Sequence, residues 1–361
     1  METKSKTASL TALPTQIIDV RDGVLLKRGA TELLVRGERA RAVITAILEE
    51  AATRPSPIDA ICERFAGVDR AAVRSLVEKL VNSRILVLAA EGAPPAAEAG
   101  ESAFEVFCWN FDVTERALQE RLRSQRVVIV GVNEISRRLV DSLRACGLAH
   151  VDVVDVPSMR NLRFFDGGEL RQSQWPHATP LNHETWFGAI DARQRLCLVP
   201  TSDFGGTVLL RHWNDLCVTN DFHMYPAILQ DLVGYVGPLV VPGETPCYEC
   251  LRSRQNAHLA HPEHARAAEG AAFEGQRTIG YHPAMASILA DIVAMELVKI
   301  SSETLPFIHI GKLIEVNLMR PQIEVHNVLR VPRCRVCSPL RWRSSASPTK
   351  STFVRPDPVK P

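Results

Sequence analysis

The chain has 361 residues, 46% of them apolar, and its 42 basic and 41 acidic side chains leave a formal charge of +1. That length allows two or three domains with a large buried core, and the charge balance argues against a broad nucleic-acid-binding surface. No apolar run reaches the ~20 residues of a membrane-spanning helix. The opening METKSKTASLTALPTQ has no continuous apolar stretch, so no signal peptide is expected and the expected location is the cytoplasm.

Residues 1 to about 15 are polar and expected to lack regular structure. Ile17–Val20, Val24–Leu26 and Leu33–Val35 are short strand candidates, the first two joined by the hairpin signal Asp22-Gly23. Glu38–Glu50 and Ile58–Phe65 read as helices. A third, Arg70–Asn82, is capped by Asp69 and carries the apolar stripe Val73, Leu76, Val77 and Leu80. Ser83–Leu88 returns as a strand. This order suggests a small winged-helix-like domain over residues 16–90. DNA binding through the third helix is not expected, because Arg70, Arg74, Lys79 and Arg84 are mixed with Asp69 and Glu78. Residues 91–103, within an Ala-, Pro- and Glu-rich stretch, form a linker.

Phe104–Phe111 reads as a strand-like apolar piece and Val113–Ser124 as a helix. Gln125–Asp155 follows, the unit on which the larger domain is built. Arg126–Val130 is a β-branched run, Gly131 makes a turn, and Ile135, Leu139 and Leu143 recur at helical spacing. Val151–Val154 is a second strand closing on Asp155. Strand, turn, helix and strand in this order open a doubly wound nucleotide-binding sheet. Leu196–Val199 and Leu216–Val218 are further strand candidates, and the second leads to Asp221. Thr207–His212 and Pro226–Leu232 read as short helices, Tyr235–Val241 as a strand, and His258–Phe273 as a surface excursion. His282–Ile300 is the strongest helix, and Phe307–Val328 holds two strands. Residues 341–361 form a Pro- and Ser-rich tail.

Four of the nine cysteines fall in two pairs, Cys247-x-x-Cys250 and Cys334-x-x-Cys337. Two such knuckles have the spacing of a tetrahedral zinc site, and four thiolates leave no open position, so the zinc would be structural. A redox CxxC or buried free thiols are the other readings of each pair taken alone.

The phosphate-binding turn is damaged. A dinucleotide fingerprint places glycines for a tight turn, for room beside the pyrophosphate and for close helix packing. Here only Gly131 remains, with Asn133, Glu134 and Ser136 in the rest of the turn. Asp155 could meet a ribose hydroxyl or end an ordinary strand. Asp221 could hold a metal ion with ATP or cap the helix that follows.

The VVIVG turn, Asn161-Leu162, DLCVTNDF, GPLVVPGETPCYECL and CRVC together resemble the ThiF/MoeB/E1-like superfamily over residues 104–340. The resemblance implies an α/β nucleotide-binding-type fold, a homodimer and a structural zinc on Cys247, Cys250, Cys334 and Cys337. It maps the family's ATP residues onto Asp155, Asn161 and Asp221. The family's arginine falls on Phe164, beside Arg163. Its catalytic lysine has no counterpart, since no lysine stands between Lys79 and Lys299. ATP is therefore not expected, although an arginine from elsewhere could substitute.

A winged-helix-like domain ahead of a degenerate E1-like domain is similar to the ocin-ThiF-like and cyclodehydratase E1-like proteins, which bind leader peptides in the biosynthesis of azol(in)e-containing RiPPs. That resemblance implies a RiPP recognition element. A leader strand would add beside Leu33, Leu34 and Val35 and lie on the helix bearing Arg74, Leu76, Val77 and Leu80. The partner implied is a separate YcaO-type cyclodehydratase. The alternative is an ATP-dependent, peptide-adenylating E1-like enzyme.

Overall fold

The computed structural model describes residues 9–65, 70–88, 103–111, 113–190, 196–273, 280–302, 305–306, 309–320 and 322–338. The expected tail, Asp69 and nearly all of the linker lie outside them. The chain divides into two compact units, Met1–Leu118 and Gln119–Pro361.

In the first unit, β1 (Ser9–Ala12), β2 (Gln16–Val20), β3 (Gly23–Arg28) and β4 (Thr31–Arg36) precede α1 (Ala40–Thr53). Next come β5 (Ser56–Pro57), α2 (Ile58–Glu63), α3 (Arg70–Asn82), β6 (Leu86–Leu88) and α4 (Ala103–Trp109). β2, β3 and β4 form an antiparallel meander, and β1 sits between β5 and β6 in a second small sheet. The strand β1 lies where no regular structure was expected. Its short period-two pattern buries Leu10 and Ala12 and pairs Leu10 with Ser56 and Leu88. The stripes of the three helices α1 to α3 meet in one core with Leu26, Ile44, Ile47, Ile61, Val77 and Leu80. α4 replaces the expected strand. Phe104, Phe107 and Phe111 stand one helical turn apart, and their rings meet at centroid distances of 6.0 and 5.2 Å. This spacing outweighs the strand propensity of isolated aromatics.

The helix α5 (Glu115–Ser124) crosses the boundary between the units. The second unit starts with β7 (Arg126–Val130), α6 (Glu134–Ala145) and β8 (His150–Asp155). Two small strands, β9 (Phe165–Asp166) and β10 (Glu169–Leu170), pair with each other. Then come β11 (Leu181–Asn182), α7 (His183–Ala189), β12 (Cys197–Ser202), α8 (Leu209–Asn220), β13 (His223–Met224), β14 (Ala227–Gln230) and β15 (Val233–Val236). The unit ends with α9 (Tyr248–Ala257), α10 (Pro262–Phe273), α11 (Pro283–Ser302), β16 (Lys312–Asn317) and β17 (Gln322–Asn327).

One sheet runs in the order β11-β8-β7-β12-β14-β15-β16-β17, with β13 on β12. It is parallel from β11 to β14 and antiparallel beyond. β8 and β12 flank β7 on opposite sides, so the chain reverses direction of travel at β7. Ligands of open α/β sheets bind at such a switch point, outside the carboxyl ends of the strands.

Three expectations are corrected here. Leu216–Val218 belongs to α8, because Leu209, Leu210, Trp213, Leu216 and Cys217 bury one helical face. Pro226–Leu232 contains β14 rather than a helix, since Ala227, Ile228 and Leu229 are buried in succession, as in a strand covered on both faces. The surface excursion contains α10.

Candidate functional site

The carboxyl ends of β7, β8 and β12 converge on the start of α6. Gly131 turns with φ +101°, and a Cβ there would lie 2.9 Å from the Thr201 carbonyl oxygen, so only glycine fits. Asn133 caps α6. Its Oδ1 accepts from the Ser136 N–H at 3.0 Å, while Ser136 Oγ accepts from the Asn133 N–H at 2.8 Å, a reciprocal capping box. The Asn133 amide also donates to the carbonyl and hydroxyl oxygens of Thr201, both at 3.0 Å. Asn133→Ala is expected to lower stability by about 2 kcal/mol, from the lost cap and the unpaired Thr201 carbonyl, read as a lower urea midpoint.

A helix start is a ready anion site because its first N–H groups lack partners. Here two of them, those of Glu134 and Ser136, have side-chain partners. The Glu134 N–H donates to Asp203 Oδ2 at 3.0 Å. Asp203, just after β12, is fully buried, and the same oxygen accepts from Asn161 Nδ2 at 2.7 Å and from the Tyr281 hydroxyl at 2.6 Å. Burial and the Asp203 carboxylate push the Tyr281 phenol far up, so it stays a neutral donor. The Glu134 carboxylate is buried too, and Arg137 and Arg138 pair with it one turn along. Two buried carboxylates thus stand at the start of α6, Asp203 taken up by neutral donors and Glu134 by Arg137 and Arg138.

Asp155 ends β8, but its two oxygens are occupied. Arg160 binds it through both Nε (2.8 Å) and Nη2 (2.6 Å) and lies 4.4 Å from the centre of the Phe165 ring. A bidentate, charge-assisted pair of this kind competes directly with a ribose hydroxyl. Phe164, the position of the family's arginine, is buried against Trp175. Asn161 does join the site through Asp203. Asp221 does not. It follows α8, not a strand, and is an exposed left-handed C-cap with φ 61°. It precedes His223, which pairs with Cys197 at the amino end of β12, so it lies at the opposite end of the sheet from Asp155. Asp203, Tyr281 and Arg160 were not anticipated. Pro200 hid Asp203 by suggesting that the strand ended there, yet β12 continues through Thr201 and Ser202, which pair with β14.

The four cysteines come together as expected. Cys247 precedes α9 and Cys250 sits in its first turn. Cys334 and Cys337 form the second knuckle. The sulfurs lie within 4.8 Å of one another, with separations of 3.8 Å (Cys247–Cys250), 3.6 Å (Cys247–Cys334) and 3.4 Å (Cys250–Cys337). A tetrahedron of thiolates about 2.3 Å from a metal has edges of about 3.8 Å, so the donor set fits one ion. The Val331 N–H points at Cys250 Sγ (3.4 Å) and the Val336 N–H at Cys334 Sγ (3.5 Å), outer-shell donors that stabilise thiolates.

In the first unit, Val77 and Leu80 are fully buried in the core, which removes them from any peptide-contacting surface. Leu34 is exposed on β4, and Leu33 and Val35 pack partly on the core. Leu76 is half-buried, and the exposed Arg74 pairs with Asp59.

No family model and no curated protein matches the chain in sequence. Solved structures do match in fold. E. coli MccB in complex with MccA-N7isoASN aligns with a TM-score of 0.65 at 17% identity, covering 91% of this chain and 99% of that one. MccB with ATP aligns with a TM-score of 0.63 at 16% identity and the same coverage. A heterocyclase in complex with substrate and cofactor aligns with a TM-score of 0.55 at 16% identity, where the match covers 91% of this chain but 39% of the heterocyclase. No described helix is long and apolar enough to cross a membrane. The chain shares the fold of MccB.

Proposed function

We propose that this protein is a non-catalytic partner in RiPP biosynthesis: it binds the leader of a precursor peptide and presents the core to a separate YcaO-type cyclodehydratase for azoline or azole formation. The observation that carries this reading is the filled nucleotide corner. The Glu134 and Ser136 N–H groups at the start of α6 are bound by Asp203 and Asn133, Arg160 clamps Asp155, and no lysine stands between Lys79 and Lys299. Phosphoryl and adenylyl transfer need preorganised positive groups at the phosphates, and the cations of this corner, Arg137, Arg138 and Arg160, are engaged by Glu134 and Asp155. The first unit is read as a winged-helix-like recognition element. Its edge strand β4 would take the leader by strand addition, and Leu34, Leu76 and Arg74 would offer contacts. The metal at the four cysteines is read as structural Zn2+, and the protein as a cytoplasmic homodimer.

The second reading is an ATP-dependent peptide adenylating enzyme. The likeness to MccB over 91% of this chain favours it, since MccB has been solved with ATP. Calorimetric titration with ATP, with and without Mg2+, separates the two. The expected result is no heat, and no AMP release when a cognate peptide is added. Micromolar ATP binding or AMP release overturns the non-catalytic reading.

A further inference from the structure

The corner between α9 and α10 reads HLAHPEH over residues 258–264. Pro262 opens α10 with a fixed φ suited to the first helical position, and the His261 carbonyl accepts the Ala265 N–H at 3.3 Å. This places His261, Glu263 and His264 on one patch. Glu263 Oε1 lies 3.4 Å from His261 Nδ1 and 4.0 Å from His264 Nε2, and the two imidazoles stack at 4.9 Å. All three ligand atoms fall within 4.8 Å of one another. Donors about 2.1 Å from one tetrahedral ion lie about 3.4 Å apart, so small rotamer changes in exposed side chains would close the set. The corner is held on both sides. Arg252 on α9 pairs with Glu269 on α10, and Glu269 also accepts from the Thr207 hydroxyl.

From this convergence we infer that the α9–α10 corner is a second metal site, held by His261, Glu263 and His264 and completed by water. Two imidazoles and one carboxylate select a late first-row divalent cation such as Zn2+ or Ni2+ over Mg2+ or Ca2+. The site differs from the cysteine centre in every respect that governs exchange. It is exposed, has three protein ligands and keeps open positions, so its metal equilibrates with solution while four thiolates, three of them buried, retain theirs.

The test is calorimetric titration of Ni2+ into tag-free, full-length protein with its cysteine-bound metal in place. The expected result is one additional ion per chain. His261→Ala/His264→Ala should weaken this binding by at least about tenfold, with the metal retained at the cysteines and the melting temperature unchanged, because both side chains are exposed. Glu263→Gln should give a smaller loss. Equal Ni2+ binding by wild type and double variant, or no binding by the wild type, overturns the assignment.

Discussion

Cys247→Ala or Cys334→Ala is expected to release the metal and unfold much of the second unit. Structural thiolate zinc sites contribute on the order of 10 kcal/mol of apparent folding free energy, comparable to the whole net stability of an ordinary domain. The effect is this large because the knuckles are part of the main core. Cys247, Cys250 and Cys334 are buried in one apolar cluster with Trp213, Tyr248 and Val336. Losing one ligand leaves three thiols, two of them buried, without their ion, and releases the long chain segment the centre ties together. Metal analysis and thermal melts of the purified variants provide the measurement. Normal metal content after either change refutes the four-thiolate centre.

Removal of residues 1–95 is expected to abolish affinity for a fluorescent leader peptide in anisotropy titrations. If the leader adds as a strand to β4, its main-chain hydrogen bonds exist only in the first unit. Leu34→Asp is a milder form of the same test. The side chain is exposed, so the fold should survive, while a charge on the docking strand should weaken binding by about tenfold, or ~1.4 kcal/mol. Unchanged affinity in the truncated protein rules out the first unit as the recognition element.

Both experiments rest on features that were visible before any tertiary contact was known, and visibility tracked how local the signal was. Arg70–Asn82 and the long helix α11 were legible because their apolar residues repeat at helical spacing. The cysteine knuckles were legible because a CxxC turn is itself the ligand geometry. Short apolar runs failed. Leu216–Val218, read alone, fits a strand, and only the five buried positions from Leu209 to Cys217 reveal a helix. Val77 and Leu80 fit a contact stripe and a core stripe equally well, and packing against Ile44, Ile47 and Ile61 decided for the core.

The candidate nucleotide corner divides the same way. The loss of glycines and lysine was readable from the residues, and with it the expectation that ATP chemistry had gone. What fills the corner was not. Asp203 meets Glu134, Asn161 and Tyr281 across sequence separations of 69, 42 and 78 residues, and Asp221, read as either a metal ligand with ATP or a helix cap, lies at the other end of the sheet. Local periodicity carries no information on such pairs. They are set by the register that places β12 beside β7, Pro200 opposite Val130, and so brings the carboxylate that follows β12 to the start of α6. The sequence by itself determined an α/β sheet, a set of four cysteines in two knuckles that could hold a metal, and a damaged phosphate turn. Only the tertiary structure decided that the damaged turn is occupied by the protein's own hydrogen bonds, because strand pairing, not residue spacing, chooses which side chains meet there.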